Sequence, residues 1–412
     1  MSENPLSRPT ESDSRIGSKR LEVIVSSGGQ FHAYHLARGA QRAGYLKRFI
    51  TTLYDKHETG LAREKVRQII LPELIGQVIW RLPGAGSMYT SYLIRDNLFD
   101  LLARRFVDGG DIFHVFNHFG LFSMRKARRL GMKTIVERSS AHPAFSRQLL
   151  SEEYARYGLR FPAGNRYVVQ KHLLEYEETD VLMVPSAFVW RTMREQGVPE
   201  SKLRRVHLGF APERFQPAPG AGDGRTFRVL FVGSVSLQKG VQYLLEAFKR
   251  LNLPDAELAL VGGAYPDSKA FLPQYEGLYR HVWFVPHAEL PEVYHSASVF
   301  VLPSLQDGFG MVVYEAAACG LPVIVSENVG ATIRDGQDGY VVPIRDPNAL
   351  ADRLLRLYRD PALRRAMGDS AREYVSRFTW DAYHAELKAH YDALAGSESP
   401  DNAQAGGAGH HG

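Results

Sequence analysis

The sequence predicts an α/β protein built from two Rossmann-like, doubly wound domains that face each other across a cleft. Three observations carry this. Apolar strand runs alternate with helical stretches along the chain, the pattern of parallel sheets covered by helices. The scheme occurs twice, with a Pro- and Gly-rich stretch between the copies. At 412 residues the chain exceeds the size at which a single core keeps growing, so two domains are expected.

In the first copy the strand runs are LEVIVSS at 21–27, DIFHVF at 111–116, KTIVE at 133–137 and DVLMVPS at 180–186. In the second they are FRVLFVG at 227–233, AELALVG at 256–262, HVWFV at 281–285, SVFVLPS at 298–304 and PVIVS at 322–326. The expected organisation is a polar, disordered arm over 1–19, a first domain over 20–207 and an aperiodic linker and hinge over 208–226. A second domain follows over 227–380, then a helical stretch over 381–395 and a low-complexity, disordered tail over 396–412. Open α/β domains bind ligands at the carboxyl ends of their strands, which places the ligand site in the cleft.

Composition narrows the class. With 44% hydrophobic and 23% charged residues this is an ordinary globular chain. The opening residues, MSENPLSRPTESDSRIGSKR, lack the apolar core of a secretory signal. No run approaches the roughly 20 apolar residues that cross a bilayer. The single cysteine, Cys319, excludes an intramolecular disulfide framework and a Cys-based zinc site and points to a reducing cytoplasm. Beside Ala318 and Gly320 it reads as a small buried side chain. The net charge of +5 suits acidic partners such as nucleotide phosphates or anionic headgroups, and no basic-aromatic motif points to nucleic acid.

The chemistry concentrates in VFVLPSLQDGFGMVVYEAAACGLPVIV, residues 299–325. A strand ends at Pro303, a loop carries Asp307-Gly308-Phe309-Gly310, and the helix that follows holds Glu315 and stops at Gly320-Leu321-Pro322. Glycines at a helix mouth let peptide N–H groups approach an anion, the helix dipole adds positive potential, and the two carboxylates remain to accept from hydroxyls. A sugar joined to a phosphate fits such a site. A second mouth, FVGSVSLQKGVQYLLEAF over 231–248, brings Lys239 to a helix start as a point charge, outside any Walker A spacing. Gly28-Gly29 after the first strand forms a third glycine loop, without the spacing of a dinucleotide fingerprint.

These segments together resemble glycosyltransferase family 4, the glycosyl transferases group 1, retaining nucleotide-sugar enzymes of the two-domain GT-B fold. The likeness covers most of residues 20–395. It is most specific in V-G-x-x-x-x-x-K-G at Val232–Gly240, in [DE]-G-F-G-x4-E-A-x-A-x-G-x-P-V-I at Asp307–Ile324, and in the R-F-T-W region from Arg377. The resemblance implies that residues 381–395 cross back onto the first domain. It implies that Glu315 accepts from the ribose hydroxyls of a nucleoside-diphosphate sugar and that Asp307 reads the transferred sugar. Phe309, Gly310 and Met311 N–H groups, with Gly308, would hold the sugar and diphosphate, and Lys239 would stabilise the leaving diphosphate beside Gly233 and Ser234. Gly28 and Gly29 would face the diphosphate from the first domain.

Four departures stand out. Ser234 stands where the family has an arginine, so one diphosphate cation must come from elsewhere, with Arg205, Arg138 and Arg334 as candidates. Asp307 replaces the usual glutamate and is one methylene shorter. Gly209-Phe210-Ala211 lacks the acid of the family's G-V-D. On the acceptor side the family's strand-end histidine is replaced by Glu137-Arg138, leaving His32, Arg138 and His142 as candidate contacts, while His114 and His118 read as satisfied core histidines.

The function implied is retaining transfer of a sugar from a nucleoside diphosphate to a glycan or lipid-linked acceptor in polysaccharide synthesis. No metal and no separate cofactor are expected, because the lysine and the helix mouths meet the charge that grows on the diphosphate. Lys239 and Asp307 are the expected catalytic residues. The alternatives are a catalytically silent GT-B partner, to which Ser234 and Ala211 lend weight, and a nucleotide-sugar epimerase or hydrolase. Lys239 and Glu315 are both expected at helix mouths rather than in the core. Residues 61–84 and 124–133 carry basic clusters that suit peripheral contact with an anionic membrane at its inner face. Pro72 interrupts the first stretch, which favours a packed helix with a solvated charged face instead.

Overall fold

The computed structural model describes residues 20–29, 32–53, 60–81, 88–162, 164–218 and 226–396. The expected disordered arm, the tail beyond 396, residues 219–225 of the linker and Gln30-Phe31 of the first glycine loop lie outside the described residues.

The first domain is a parallel sheet of seven strands: β1 (Val23–Ser27), β2 (Leu46–Thr51), β3 (Val66–Gln68), β4 (Ile112–Phe116), β5 (Lys133–Glu137), β6 (Val181–Val184) and β7 (Leu203–Arg205), in the order β3-β2-β1-β4-β5-β6-β7. β1 and β4 are buried along their whole length, which is why they read as unbroken apolar runs. Its helices are α1 (Ala33–Arg42), α2 (Leu71–Arg81), α3 (Met88–Ala103), α4 (Leu121–Arg129), α5 (Pro143–Arg156), α6 (Arg166–Glu178) and α7 (Ala187–Glu195).

The second domain repeats the plan with six parallel strands: β8 (Phe227–Val232), β9 (Ala256–Val261), β10 (Arg280–Val282), β11 (Val299–Leu302), β12 (Val323–Ser326) and β13 (Gly339–Val342), ordered β10-β9-β8-β11-β12-β13. Helices α8 (Val241–Leu251), α9 (Leu290–His295), α10 (Met311–Ala318), α11 (Pro347–Arg359) and α12 (Pro361–Val375) cover it. In each sheet the strand order reverses beside the first strand, between β1 and β4 and between β8 and β11. Those reversals open a crevice at the carboxyl ends, the place where α/β sheets bind ligands.

The last helix, α13 (Trp380–Gly396), crosses to the first domain. There Arg42 pairs with Asp381, Tyr45 donates to Asp392, and Tyr391 OH meets His114 Nδ1 at 2.8 Å. The linker runs beside this crossing, with Phe210 N–H donating to Phe378 O at 3.0 Å. A Cβ at Gly209 would lie 2.5 Å from Trp380 N, so the two strands of the hinge touch backbone to backbone. On the cleft side α5 reaches across: buried Glu153 accepts from Gln242 at 2.9 Å, Tyr243 OH at 2.7 Å and Arg345 Nε at 2.9 Å.

α2 departs from the sequence reading. Pro72 is its second residue, where a missing N–H costs no helical bond, so the helix continues to Arg81. Its inner side packs on α3, and its outward side is largely apolar: Leu71, Leu74 and Val78 are exposed there beside Gln77 and Arg81.

Candidate active site

Both helix mouths of the second domain lie at its strand-order reversal. After β8 a 3-10 turn, Leu237–Lys239, ends at Gly240 with φ +70°. A Cβ there would sit 1.9 Å from Pro303 O, so glycine is what lets the lysine loop lie against the exit of β11. Lys239 Nζ then meets Asp307 Oδ2 at 2.5 Å. The other carboxylate oxygen accepts from the N–H groups of Phe309 at 3.3 Å and Gly310 at 3.0 Å, where α10 begins. Asp307 is thus the anion of this site, held by one ammonium, two peptide N–H groups and a helix dipole. The resemblance assigned those N–H groups to sugar and diphosphate; here the short aspartate turns back onto its own backbone.

The loop also touches the first domain. Gly308 leaves no room for a side chain, since a Cβ would lie 1.8 Å from Ser139 O, and its carbonyl accepts from Ser186 Oγ at 2.7 Å. Ser186 Oγ also caps α7 by accepting from Val189 N–H.

Glu315, one turn into α10, is not at an open helix mouth. It is 4% exposed, its Oε2 accepts from Tyr294 OH at 2.9 Å, and its Oε1 lies 3.0 Å from His287 Nε2. Through this pair it reaches a cavity of about 690 Å³ between the domains, lined by Arg38, Arg214, His35, His287, Met311 and Glu315 among others. A second cavity, about 550 Å³, is lined by Arg138, His142, His118 and Arg147 of the first domain and by Gln238 and Gln306 of the second. The loop 306–311 runs from one to the other, Gln306 at the second cavity and Met311 at the first. Lys239, Asp307 and Phe309 are not among the residues that line either cavity, so the structure does not gather the expected donor residues around one cavity. Ser234, half-buried, follows Gly233 at the end of β8.

In the first domain Gly28 is buried, and a Cβ there would lie 2.4 Å from the Phe119 ring, so packing alone accounts for this glycine. Gly29 O accepts from Ser27 Oγ at 2.7 Å. His32 is turned inward, its Nε2 bonded to buried Glu137, whose other oxygen lies 3.3 Å from His114 Nε2. Burial alone would raise the Glu137 pKa, but His32 and His114 hold it down to about 2. Arg138 is spread over Asn117 Oδ1 at 2.8 Å and the Ser140 and Ala141 carbonyls. His142 caps α5, its Nδ1 accepting from Ala144 N–H at 3.2 Å.

Of the candidates for the missing cation, Arg334 is excluded by its own bonds. It forms a two-point pair with Asp338, donates to Ser370 and lies over the Tyr374 ring. Arg205 is exposed at the end of edge strand β7. Arg38 and Arg214, from α1 and the linker, line the Glu315 cavity instead. His118, read from the sequence as a core residue, lines the second cavity at φ +88°, a left-handed conformation rare outside glycine. The one signal for it was its place directly beyond β4. Cys319 is buried, and burial pushes its thiol up to about 12, so it stays an inert side chain.

Several buried or half-buried histidines are held neutral. Burial lowers His35 and His118 to about 3 and His142 and His207 to about 4, all below their ordinary 6.5. The unfolded chain therefore takes up these protons first, and the stability they confer is complete above pH 6.5 and is lost as pH falls toward 3. Melting curves across that window are expected to show a falling transition temperature. A flat profile would contradict the burial of these rings.

Two facing Rossmann-like domains, crevices at both strand-order reversals and a last helix that crosses back define the GT-B fold. Comparison with known proteins agrees. Residues 226–360 match the family Glycosyl transferases group 1. A D-inositol 3-phosphate glycosyltransferase of Streptomyces bingchenggensis is 34% identical over 230 residues, covering 50% of this chain and 50% of the relative. An uncharacterized glycosyltransferase of Methanocaldococcus jannaschii is 26% identical over 383 residues, covering 87% of this chain and 92% of that one. The solved sucrose-phosphate synthase of Thermosynechococcus elongatus superposes with a TM-score of 0.69 at 22% identity, over 90% of this chain and 99% of its own. The likeness to the group 1 glycosyl transferases is thus carried by the second domain. The chain spans about half the length of the first curated relatives it matches.

Proposed function

We propose that the protein is a retaining glycosyltransferase that moves a sugar from a nucleoside-diphosphate donor to a glycan or lipid-linked acceptor in polysaccharide or glycolipid assembly. The observation that carries the reading is the Lys239–Asp307 pair at the mouth of α10, at the strand-order reversal and against the first domain. A pocket that binds a carboxylate with an ammonium, two peptide N–H groups and a helix dipole is equipped for a phosphate. On donor binding the diphosphate takes over Lys239 and the α10 mouth, and Asp307 is released toward the transferred sugar. The nucleoside occupies the Glu315 cavity, with Arg38 and Arg214 supplying the positive charge absent at Ser234. The acceptor occupies the second cavity, beside Arg138 and His142.

Transfer proceeds through an oxocarbenium-like state in which negative charge grows on the departing diphosphate. Fixed charge and peptide dipoles meet that charge without a metal. Retention follows when the acceptor hydroxyl attacks from the face the diphosphate leaves and gives its proton to a phosphate oxygen, so no side-chain nucleophile is needed. The protein acts on the cytoplasmic side of the membrane, in peripheral contact with anionic lipid. A silent binding partner remains the second reading, because Ser234 and Ala211 both depart from the family pattern.

A panel of nucleoside-diphosphate sugars tests both. One donor is expected to raise the melting temperature by mass action and to release its nucleotide faster when acceptor is present. Stabilisation without release would favour the silent partner. Release indifferent to acceptor would favour a hydrolase, and no stabilisation by any donor would defeat the proposal.

A further inference from the structure

Four aliphatic side chains at the start of and along α2 stand in solvent: Ile70 is 45% exposed, Leu71 52%, Leu74 54% and Val78 57%. At about 100° per residue they fall within an arc of roughly 100° on the helix surface. The opposite side is committed to α3, where the Gly76 carbonyl accepts from Ser91 Oγ at 2.9 Å and Gly76 lies against Arg95. Nothing in a helix–helix pair of this kind requires the outward face to be apolar, and a contiguous apolar face rimmed by polar residues marks an interaction surface.

The charges around the stripe say what covers it. Over residues 63–81 there are four cations, Arg63, Lys65, Arg67 and Arg81, against two acids, Glu64 and Glu73. Arg81 shares the arc of the stripe. The Arg67 guanidinium donates to the carbonyls of Glu64 and Val66. Glu73 is 3.7 Å from Arg95, so an inward partner already offsets it. Aliphatic side chains bordered by cations suit the headgroup and acyl boundary of an anionic bilayer. Protein partners favour aromatic anchors, and the stripe has none among these four residues.

The same pair of helices leads to the acceptor side. Tyr92, next to the Ser91 that fastens α3 to α2, lines the second cavity. That cavity has an apolar wall including Leu150, Phe161 and Val168 and two guanidinium groups, Arg138 and Arg147. Such a lining suits an anionic head attached to a hydrocarbon chain.

We infer that α2 is the docking face of the protein on an anionic bilayer and that the acceptor is a lipid-linked, anionic amphiphile entering from that bilayer past α3. The inference deepens the glycosyltransferase reading and rests on it for the word acceptor; the docking face stands on α2 alone. The test is sedimentation of the full chain at low salt with vesicles of phosphatidylcholine alone and of phosphatidylcholine with phosphatidylglycerol. The wild-type protein is expected to pellet with the second and not with the first. The double variant Leu74→Glu, Val78→Glu, at two exposed positions, is expected to bind at least about tenfold more weakly, with an unchanged melting temperature. Absence of wild-type binding to the anionic vesicles would overturn the inference. So would equal binding by the variant, or a dimer that the variant dissociates while vesicle binding is unaffected. Donor-induced stabilisation, measured without vesicles, keeps the two readings apart: vesicle binding without it supports the docking face and defeats the glycosyltransferase reading.

Discussion

Replacing Lys239 with alanine is expected to lower turnover by about two to three orders of magnitude, the usual cost of removing one fixed group that stabilises developing negative charge. The lysine is partly exposed and packs at a loop, and Asp307 keeps its two peptide N–H partners when the ammonium is gone. The melting temperature should therefore change little, and kcat should fall more than donor affinity, because the charge on the leaving diphosphate grows in the transition state. Steady-state kinetics with the donor that stabilises the protein reads this directly. Turnover within a factor of a few of wild type would remove Lys239 from the chemistry.

The second large effect concerns Glu315, where the choice of substitution matters because the side chain is buried. Glu315→Gln keeps an oxygen for Tyr294 OH and an amide group toward His287, so the local packing survives. It loses a charged acceptor for a diol, which at about 1.5–3 kcal/mol per charge-assisted bond corresponds to roughly a 10–100-fold loss in kcat/KM for the donor. Glu315→Ala does more. It also leaves the Tyr294 hydroxyl buried without its acceptor, a further destabilisation of about 1–3 kcal/mol. The expected pattern is a glutamine variant that melts like wild type but binds donor poorly, and an alanine variant that melts earlier. A glutamine variant with full donor affinity would remove Glu315 from the ribose and leave it as a structural link between α10, Tyr294 and His287.

How much of this was legible in the sequence follows from burial. Strands β1, β4, β5, β6, β8, β11 and β12 are covered on both faces, so their apolar runs stand out against polar loops. β2 was missed because it carries Lys47-Arg48, charges that the fold neutralises with Glu22 and Asp108 only after the chain has closed. β3 and β7 are three-residue edge strands, and β13 is a four-residue edge strand, too short for periodicity to register. The two helix mouths were visible as glycine punctuation beside a lysine and an aspartate, and the structure brings that lysine and that aspartate together across 68 residues of chain.

What stayed hidden depends on direction rather than on residue type. No local pattern shows that Asp307 turns back onto Phe309 and Gly310, or that Glu315 points at Tyr294 instead of solvent. Arg38 and Arg214 come to one cavity from the first helix and from the linker, a meeting only the domain arrangement produces. His32 looked like a cleft residue because it follows the first glycine loop, yet Glu137 draws it inward. The apolar residues of α2 read as core because core is the commoner fate of such residues, and only their exposure reveals the outward stripe.

A crystal structure of the protein soaked with the nucleoside-diphosphate sugar that stabilises it decides most directly where a diphosphate binds. A diphosphate oxygen is expected within about 4 Å of Lys239 Nζ, at the N-terminus of α10, with the Asp307 carboxylate displaced from the lysine. A diphosphate lodged elsewhere, with the Lys239–Asp307 pair undisturbed, would contradict that expectation.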